Sequence, residues 1–202
     1  MGRWGDGAKK PSRITPHDMR HPNLADRSDS CLLVVDFQEP FLRTMADRQM
    51  VIENTGKLVR AANILGLPVI VTLQNAEKMG DTIPEIKQLL PPHEPINKMA
   101  FSCCADSGFK LRLQGLERRR VIICGVEAHV CVSQTAHDLL AFGYRVHVPE
   151  DAVCSRKERD WHAGLDKMRQ SGVIVTSTEA VIFELLEQAG TDEFRETLKF
   201  IR

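Results

Sequence analysis

Residues 121–143 of this 202-residue chain read VIICGVEAHVCVSQTAHDLLAFG, and this stretch indicates how the chain folds. Residues 121–124 are a short apolar run rich in β-branched side chains, which is typical of a fully buried strand. Gly125 is expected to interrupt this strand, and a helix is expected to follow it. The apolar residues of that helix recur at helical spacing, at Val130, Ala136, Leu139 and Leu140.

Short apolar runs and helical patterns alternate along the rest of the chain. The predicted strands cover residues 31–35, 69–73, 95–98, 121–124, 144–148 and 173–175, and the other predicted helices cover about 46–65, 84–90, 107–116, 157–171 and 178–188. Strands that are apolar on both faces and alternate with helices predict a parallel sheet covered on both sides. The sequence therefore predicts an α/β domain over residues 30–202, preceded by a polar, irregular arm over residues 1–29.

The composition excludes several classes of partner. The chain has 27 basic and 27 acidic residues, so neither a nucleic acid nor an anionic membrane surface is predicted as a partner. No apolar run is long enough to span a bilayer, and the first 29 residues contain no apolar signal segment. The six cysteines follow no disulfide or zinc pattern, which favours a reducing, cytoplasmic location.

Cys131 is the candidate nucleophile because it follows a buried strand and falls near the first turn of a helix. Unpaired backbone N–H groups and the helix dipole at that position favour a thiolate over a thiol. The alternative is that Cys131 only fills the core, since free cysteine is among the most buried residue types. Cys31 and Cys124 lie within predicted strands and are expected to be inert core residues.

Three chemically suitable residues follow the carboxyl ends of predicted strands, where ligands bind in sheets of this kind. Asp36 follows the strand of residues 31–35, Lys98 ends the strand of residues 95–98, and Cys131 follows that of residues 121–124. A carboxylate can accept the thiol proton, an ammonium can balance the resulting charge, and the sulfur can attack an acyl carbon. Each residue also has an ordinary structural explanation, so their combination carries the hypothesis.

The motifs around these residues resemble those of the isochorismatase-like cysteine hydrolases. They read DFQEPF at 36–41, KMAFS at 98–102, GVEAHVCV at 125–132 and DAVCSR at 151–156. The order and spacing match the family from about residue 31 to residue 189, and the subgroup of isochorismatase domain-containing proteins is the most similar. The resemblance implies a three-layer α/β/α fold with a six-stranded, mostly parallel, doubly wound sheet. It also implies a homo-oligomer, a dimer or a tetramer.

The resemblance further implies how the site works. The catalytic triad of the family would be Asp36, Lys98 and Cys131. A cis peptide bond would join Val126 to Glu127, and backbone N–H groups of Glu127, Ala128 and Cys131 would form an oxyanion hole. The substrate pocket is predicted to include Phe37, Phe41, Gln74, Met99, Phe101 and His129.

The chain departs from the nicotinamidases of the same superfamily, which hold a metal near the second strand. Residues 73–77 read LQNAE and offer neither a His nor an Asp, so we expect no metal and no cofactor. The leading interpretation is a cysteine hydrolase that acts on a small amide, ester or related substrate through a thioester-type intermediate. The alternatives are a non-catalytic or redox-responsive interaction protein and, less favoured, a metal-dependent amidase.

A stripe on the predicted helix of residues 157–171 bears on the expected oligomer. Trp161, Leu165 and Met168 follow one another at helical spacing, so they could form a surface for a second copy of the chain. The alternative is that the stripe packs on the sheet, as the apolar face of such a helix normally does.

Overall fold

Residues 20–201 are described by a computed structural model of the chain. The strands are β1 (Ser30–Val35), β2 (Val69–Gln74), β3 (Ile96–Lys98), β4 (Arg120–Val126), β5 (Arg145–Pro149), β6 (Val153–Cys154) and β7 (Ile174–Thr176). The helices are α1 (Glu39–Leu42), α2 (Arg48–Leu65), α3 (Ala76–Met79), α4 (Pro84–Lys87), α5 (Ser107–Gly115), α6 (Ser133–Ala141), α7 (Glu158–Gln170), α8 (Thr178–Leu186) and α9 (Asp192–Ile201). Helix α9 and the short helices α1 and α3 were not predicted.

The strands form one sheet in the order β3-β2-β1-β4-β5-β7, with β6 paired to β4. Every ladder in this sheet is parallel. The predicted three-layer α/β/α architecture is confirmed: within residues 20–201 six strands form the main path of the sheet, and the two-residue strand β6 adds a seventh beside β4. Strand β6 escaped prediction because two residues are too few to show an apolar period, and its pairing with the end of β4 is a long-range contact.

Gly125 does not interrupt β4, as the sequence had suggested, because the strand continues through it to Val126. Gly125 pairs with Val35 of β1 and has a φ of 122°, a conformation that residues with a side chain rarely adopt. A Cβ atom at this position would lie 2.1 Å from the carbonyl oxygen of Val35. The glycine therefore allows the two central strands to approach closely just before the site.

Two apolar cores cover the two faces of the sheet. Leu32 and Val34 of β1 pack with α2 and α8 on one face, while Leu33 and Val35 pack with α5, α6 and α7 on the other. The alternation within a single strand follows from the two-residue period of its side chains. Both faces of the sheet are thus buried, as the unbroken apolar strands predicted.

The apolar stripe of α7 faces the sheet rather than a second copy of the chain. Leu165 and Met168 are fully buried in the core, and Trp161 packs against it while its Nε1 donates to the carbonyl of Val153 at 3.0 Å. The stripe therefore gives no support to the predicted oligomer, and the alternative interpretation of it is the correct one.

The described part of the predicted arm, residues 20–29, packs onto α8. Arg20 donates to the carbonyl of Glu184 at 2.8 Å, and the Glu184 carboxylate accepts from the backbone N–H of Ala25 at 2.7 Å. Ala25 is itself a buried residue of the core. The remainder of the arm, residues 1–19, lies outside the described residues.

Candidate active site

The sheet order places the candidate residues at one edge. The chain leaves β1 toward β2 on one side and later returns to β4 on the other, so a crevice opens at the carboxyl ends of β1 and β4. Asp36 directly follows β1, Lys98 is the last residue of β3, and Cys131 lies five residues after the end of β4. The three residues predicted from strand ends thus share this edge.

Asp36 and Lys98 form a buried ion pair. Lys98 Nζ lies 2.6 Å from Asp36 Oδ2, and the exposed fractions of the two side chains are 0% and 1%. The other carboxylate oxygen, Oδ1, accepts from the Thr72 hydroxyl at 2.9 Å. Asp36 has a positive φ of 51°, and its N–H donates to the Thr72 carbonyl at 3.1 Å, so the backbone is tied to β2 as well. Both oxygens of the carboxylate are therefore oriented by the protein.

The Lys98 ammonium has an acceptor for each of its three N–H bonds. Besides Asp36, it donates to Gln74 Oε1 at 2.7 Å and to the carbonyl of Ala100 at 3.3 Å. Lysine has three donors and no acceptor, so this group is saturated. Its charge can balance a nearby anion, but each of its protons is already hydrogen-bonded.

Cys131 is a buried thiol, and the charges of both members of the ion pair affect its pKa. Burial, and next the negative charge of Asp36, raise the pKa of Cys131 to about 12, while Lys98 acts in the opposite direction. The charge of Asp36 is therefore close enough to act on the thiol. The expectation of a ready thiolate at a helix terminus is therefore wrong, because burial and the negative charge of Asp36 outweigh the effect of Lys98 on the pKa.

The pKa does not distinguish Cys131 from the other thiols. Burial also raises the pKa values of Cys31, Cys103, Cys104, Cys124 and Cys154. Cys131 differs in its access to solvent, since its exposed fraction is 7% against 4% or less for the others. Cys103 lies close enough to raise the pKa of Cys131 further.

The backbone around Cys131 forms a π-helical turn, Ala128–Val132, rather than the first turn of an α-helix. The carbonyl of Glu127 accepts hydrogen bonds from the N–H groups of Val130 at 3.0 Å and Val132 at 3.2 Å, so it passes over the N–H of Cys131. Turns of this kind are rare and are often found at functional sites. The peptide bond from Val126 to Glu127 is cis, which is the geometry that the resemblance implied.

Two neighbouring segments hold this turn, and the strand-end argument had not identified either of them. Glu127 Oε2 accepts from both the N–H and the Nε of Arg156 at 3.0 Å, and His129 Nδ1 lies 2.9 Å from the Ser155 hydroxyl. On α7, a Cβ atom at Gly164 would lie 2.9 Å from His129 Cα. The motif at 151–156 was the available signal for the first contact, whereas nothing local marked the glycine.

The predicted pocket residues have different environments. Phe37 is fully buried in the core beneath the site, and Phe41 packs against the same core. Gln74 is buried, and its side chain is hydrogen-bonded to Lys98 and to the Met99 carbonyl. By contrast, Met99 and Phe101 have exposed fractions of 70% and 54%. Met99 and Phe101 are thus the exposed apolar members of the predicted set, whereas Phe41 is half-buried and His129 is partly buried against Ser155.

A separate cavity of about 560 Å³ contains none of these residues. It is lined by Asp26, Arg27, Ser28, Leu65, Gly66, Leu116, Glu117, Arg118 and Glu187, around the start of β1 and the end of α2. It therefore lies at the opposite edge of the sheet from the candidate site.

Within residues 20–201, no cluster of three or more His, Cys, Asp or Glu is placed to hold a metal ion. None of the helices described between these limits could cross a membrane.

Comparison with known proteins identifies the class. Residues 30–180 match the family model of the isochorismatase domain. The chain therefore belongs to the isochorismatase family, as the motifs had indicated, and its fold is that of the isochorismatase-like hydrolases.

Individual relatives match nearly the whole chain. Isochorismatase domain-containing protein 2 of Danio rerio is 38% identical over 174 residues, which cover 85% of this chain and 86% of the relative. The secreted isochorismatase effector Isc1 of Phytophthora sojae is 36% identical over 206 residues, with 100% and 93% covered. The structure of MAR1 ribonuclease from Caenorhabditis elegans has a TM-score of 0.83 and 38% identity, and covers 88% of this chain and 92% of that one. The predicted subgroup is thus among the relatives.

Proposed function

We propose that the protein is a cysteine hydrolase in which Cys131 attacks a small amide, ester or related substrate. In this proposal Asp36 accepts the proton of the thiol, and Lys98 balances the negative charge. One observation carries the proposal: the thiol lies beside a buried carboxylate that can accept its proton, and that carboxylate is paired with an ammonium. Membership of a hydrolase family supports the same class of reaction.

The raised pKa of Cys131 defines the role of Asp36. With a pKa of about 12 the thiol is protonated at neutral pH, so attack requires a general base at the moment of reaction. Moving the proton to Asp36 replaces one buried anion by another, and Lys98 balances either one. The transfer therefore leaves the net charge of the three side chains unchanged, which limits its cost in a buried site.

The steps balance as ordinary acyl transfer. The sulfur of Cys131 bonds to the carbonyl carbon while its proton passes to Asp36, and the carbonyl electrons move to the oxygen. The oxyanion then collapses, the bond to the leaving nitrogen or oxygen breaks, and Asp36 returns the proton to that atom. Water, deprotonated by Asp36, finally attacks the thioester and releases the acid and the thiol.

We assign the oxyanion hole to backbone N–H groups of the turn, among those of Glu127, Ala128 and Cys131. The support is the π-helical hydrogen bonding, in which the Glu127 carbonyl takes the N–H groups of Val130 and Val132. An N–H that is not bound to this carbonyl can face a developing negative charge. Met99 and Phe101, which are exposed after β3, would contact the apolar part of the substrate.

Hydrolysis assays test this proposal directly. Small amides and esters, isochorismate and a short RNA are offered to wild type, to Cys131→Ala and to the matched control Cys154→Ala. Isochorismate and RNA are included because the names of the Phytophthora and Caenorhabditis relatives refer to those activities. The proposal expects turnover of a small substrate that Cys131→Ala loses and Cys154→Ala keeps. Undiminished turnover by Cys131→Ala would contradict it and favour the redox-responsive or interaction role.

We also propose a homo-oligomer, a dimer or a tetramer, and a cytoplasmic location without nucleic-acid or membrane partners. The structure of YcaC from Escherichia coli, which is 26% identical to this chain, is described as an octameric hydrolase, and this supports an oligomer. Light scattering at micromolar concentration tests the first proposal, and a monomer mass would contradict it. Cell fractionation tests the second, since one relative is described as secreted.

A further inference from the structure

The side chain of Gln74 connects the Lys98 ammonium to the backbone that follows it. Gln74 ends β2 and Lys98 ends β3, and the register of the two strands places them side by side. Gln74 Oε1 accepts from Lys98 Nζ at 2.7 Å, and its Nε2 donates to the carbonyl of Met99 at 2.8 Å. The buried amide thus uses one end for the cation and the other for the segment that carries Met99 and Phe101.

Gln38 fixes the position of Gln74 from the other side. The fully buried Gln38 accepts from the Gln74 N–H through Oε1 at 2.8 Å and donates through Nε2 to the Gln74 carbonyl at 3.2 Å. The same Nε2 donates to the carbonyl of Gly80 at 2.7 Å. The backbone of Gln74 is therefore held on both its donor and its acceptor, so its side chain projects toward Lys98 from a fixed origin.

The contacts of Lys98 show why this position matters. Of its three hydrogen bonds, those to Asp36 and Gln74 are short, at 2.6 and 2.7 Å, and the third, to Ala100, is 3.3 Å. The side chain has no exposed surface, so water offers no substitute for a lost acceptor. Without Gln74 the ammonium would keep one short bond and would be able to rotate about its own C–N axis.

We infer that Gln74 is a positioning residue, the acceptor that keeps the Lys98 ammonium directed at Asp36 while its other end holds the Met99 carbonyl. The inference rests on the proposed function, in which this ammonium balances the charge shared by Asp36 and Cys131. Gln74 itself touches neither the nucleophile nor its proton, so it acts through Lys98.

Proton exchange of the Lys98 ammonium measures this positioning without a substrate. In ¹⁵N-labelled protein, an ammonium whose protons are all bonded in a buried site exchanges slowly enough to give a ¹H–¹⁵N signal at neutral pH, and Lys98→Met identifies that signal. Gln74→Asn is one methylene shorter and loses the acceptor, so exchange should be about tenfold faster, which corresponds to one hydrogen bond. Gln74→Glu keeps the acceptor and should retain slow exchange. Gln170→Asn, an exposed position on α7, is the matched control.

The outcomes separate this inference from the proposed function. Unchanged exchange in folded Gln74→Asn would overturn the positioning role, even if Cys131→Ala has no activity. Undiminished hydrolysis by Cys131→Ala would overturn the proposed function, whatever the exchange rate. If circular dichroism shows that Gln74→Asn does not fold, Gln74→Met replaces it, because methionine has a similar length and no acceptor. The same increase in the exchange rate of the Lys98 ammonium is then expected, and an unchanged rate would overturn the positioning role. On a substrate that the wild type hydrolyses, Gln74→Asn should lower kcat.

Discussion

His147 should make the stability of the folded chain depend on pH. It is completely buried on β5, and neither ring nitrogen has a hydrogen-bond partner. Burial, and then the charges of Arg120 and Arg145, lower the pKa of His147 from 6.5 to about 4. Between these values the unfolded chain binds a proton that the native chain does not bind. The free energy of unfolding therefore has its full value above pH 6.5, and it decreases as the pH falls toward 4.

The size of the effect follows from the two pKa values. The interval from 6.5 to about 4 corresponds to a total loss of about 3 kcal/mol, of which about 2 kcal/mol is lost by pH 5. His147→Phe keeps a ring of similar size and removes both nitrogens, so it should abolish this part of the pH dependence. It should not lower stability at pH 7.5, because the buried nitrogens are already unpaired.

Urea unfolding followed by circular dichroism measures the effect at pH 5.0, 6.0 and 7.5. Wild type should lose about 2 kcal/mol more than His147→Phe between pH 7.5 and 5.0. The control is His162→Gln, because His162 is exposed on α7 and its replacement should leave the slope nearly unchanged. Parallel pH curves for wild type and His147→Phe would refute the reasoning, since they would show that the buried ring does not resist protonation.

The remaining predictions concern the site and the strand before it. On an active substrate, Asp36→Asn should lower kcat/KM by about 10²–10⁴-fold, and combining it with Cys131→Ala should add little, because base and nucleophile act as a unit; additive losses would contradict this. Alkylation of Cys131 by iodoacetamide, followed by peptide mapping, should rise with pH without a plateau up to pH 10, since its pKa is about 12, and a plateau near neutral pH would show a preformed thiolate. Gly125→Ala should destabilise the chain by several kcal/mol, roughly 3 or more, because its Cβ would meet the Val35 carbonyl, whereas Gly115→Ala, which meets nothing within 4 Å, should be neutral or slightly stabilising in the same urea assay. Activity should survive chelator treatment, and its loss on chelation with recovery on adding zinc or iron would favour a metal-dependent amidase.

The sequence alone was sufficient for the architecture and for the edge at which to look. Unbroken apolar strands could only be buried on both faces, and the helical patterns between them required parallel neighbours. Helix α2 ends where the sequence indicated, at Gly66 with a φ of 69°. Asp36 and Lys98 were singled out because they stand at strand ends, and parallel strands bring such residues to one edge. These conclusions depend on local patterns, which a single sequence displays.

Only the tertiary structure decided the electrostatics of the site. The sequence predicted a thiolate at Cys131, whereas in the structure the thiol has a raised pKa. The difference arises because the burial of the sulfur and its distance from Asp36 depend on how separate segments pack. The same is true of the close approach of Gly125 to Val35 and of the two-residue strand β6. Helix-terminus and charge arguments read from sequence give the sign of each influence on a thiol. Which influence is largest depends on the degree of burial, and burial is a property of the folded chain.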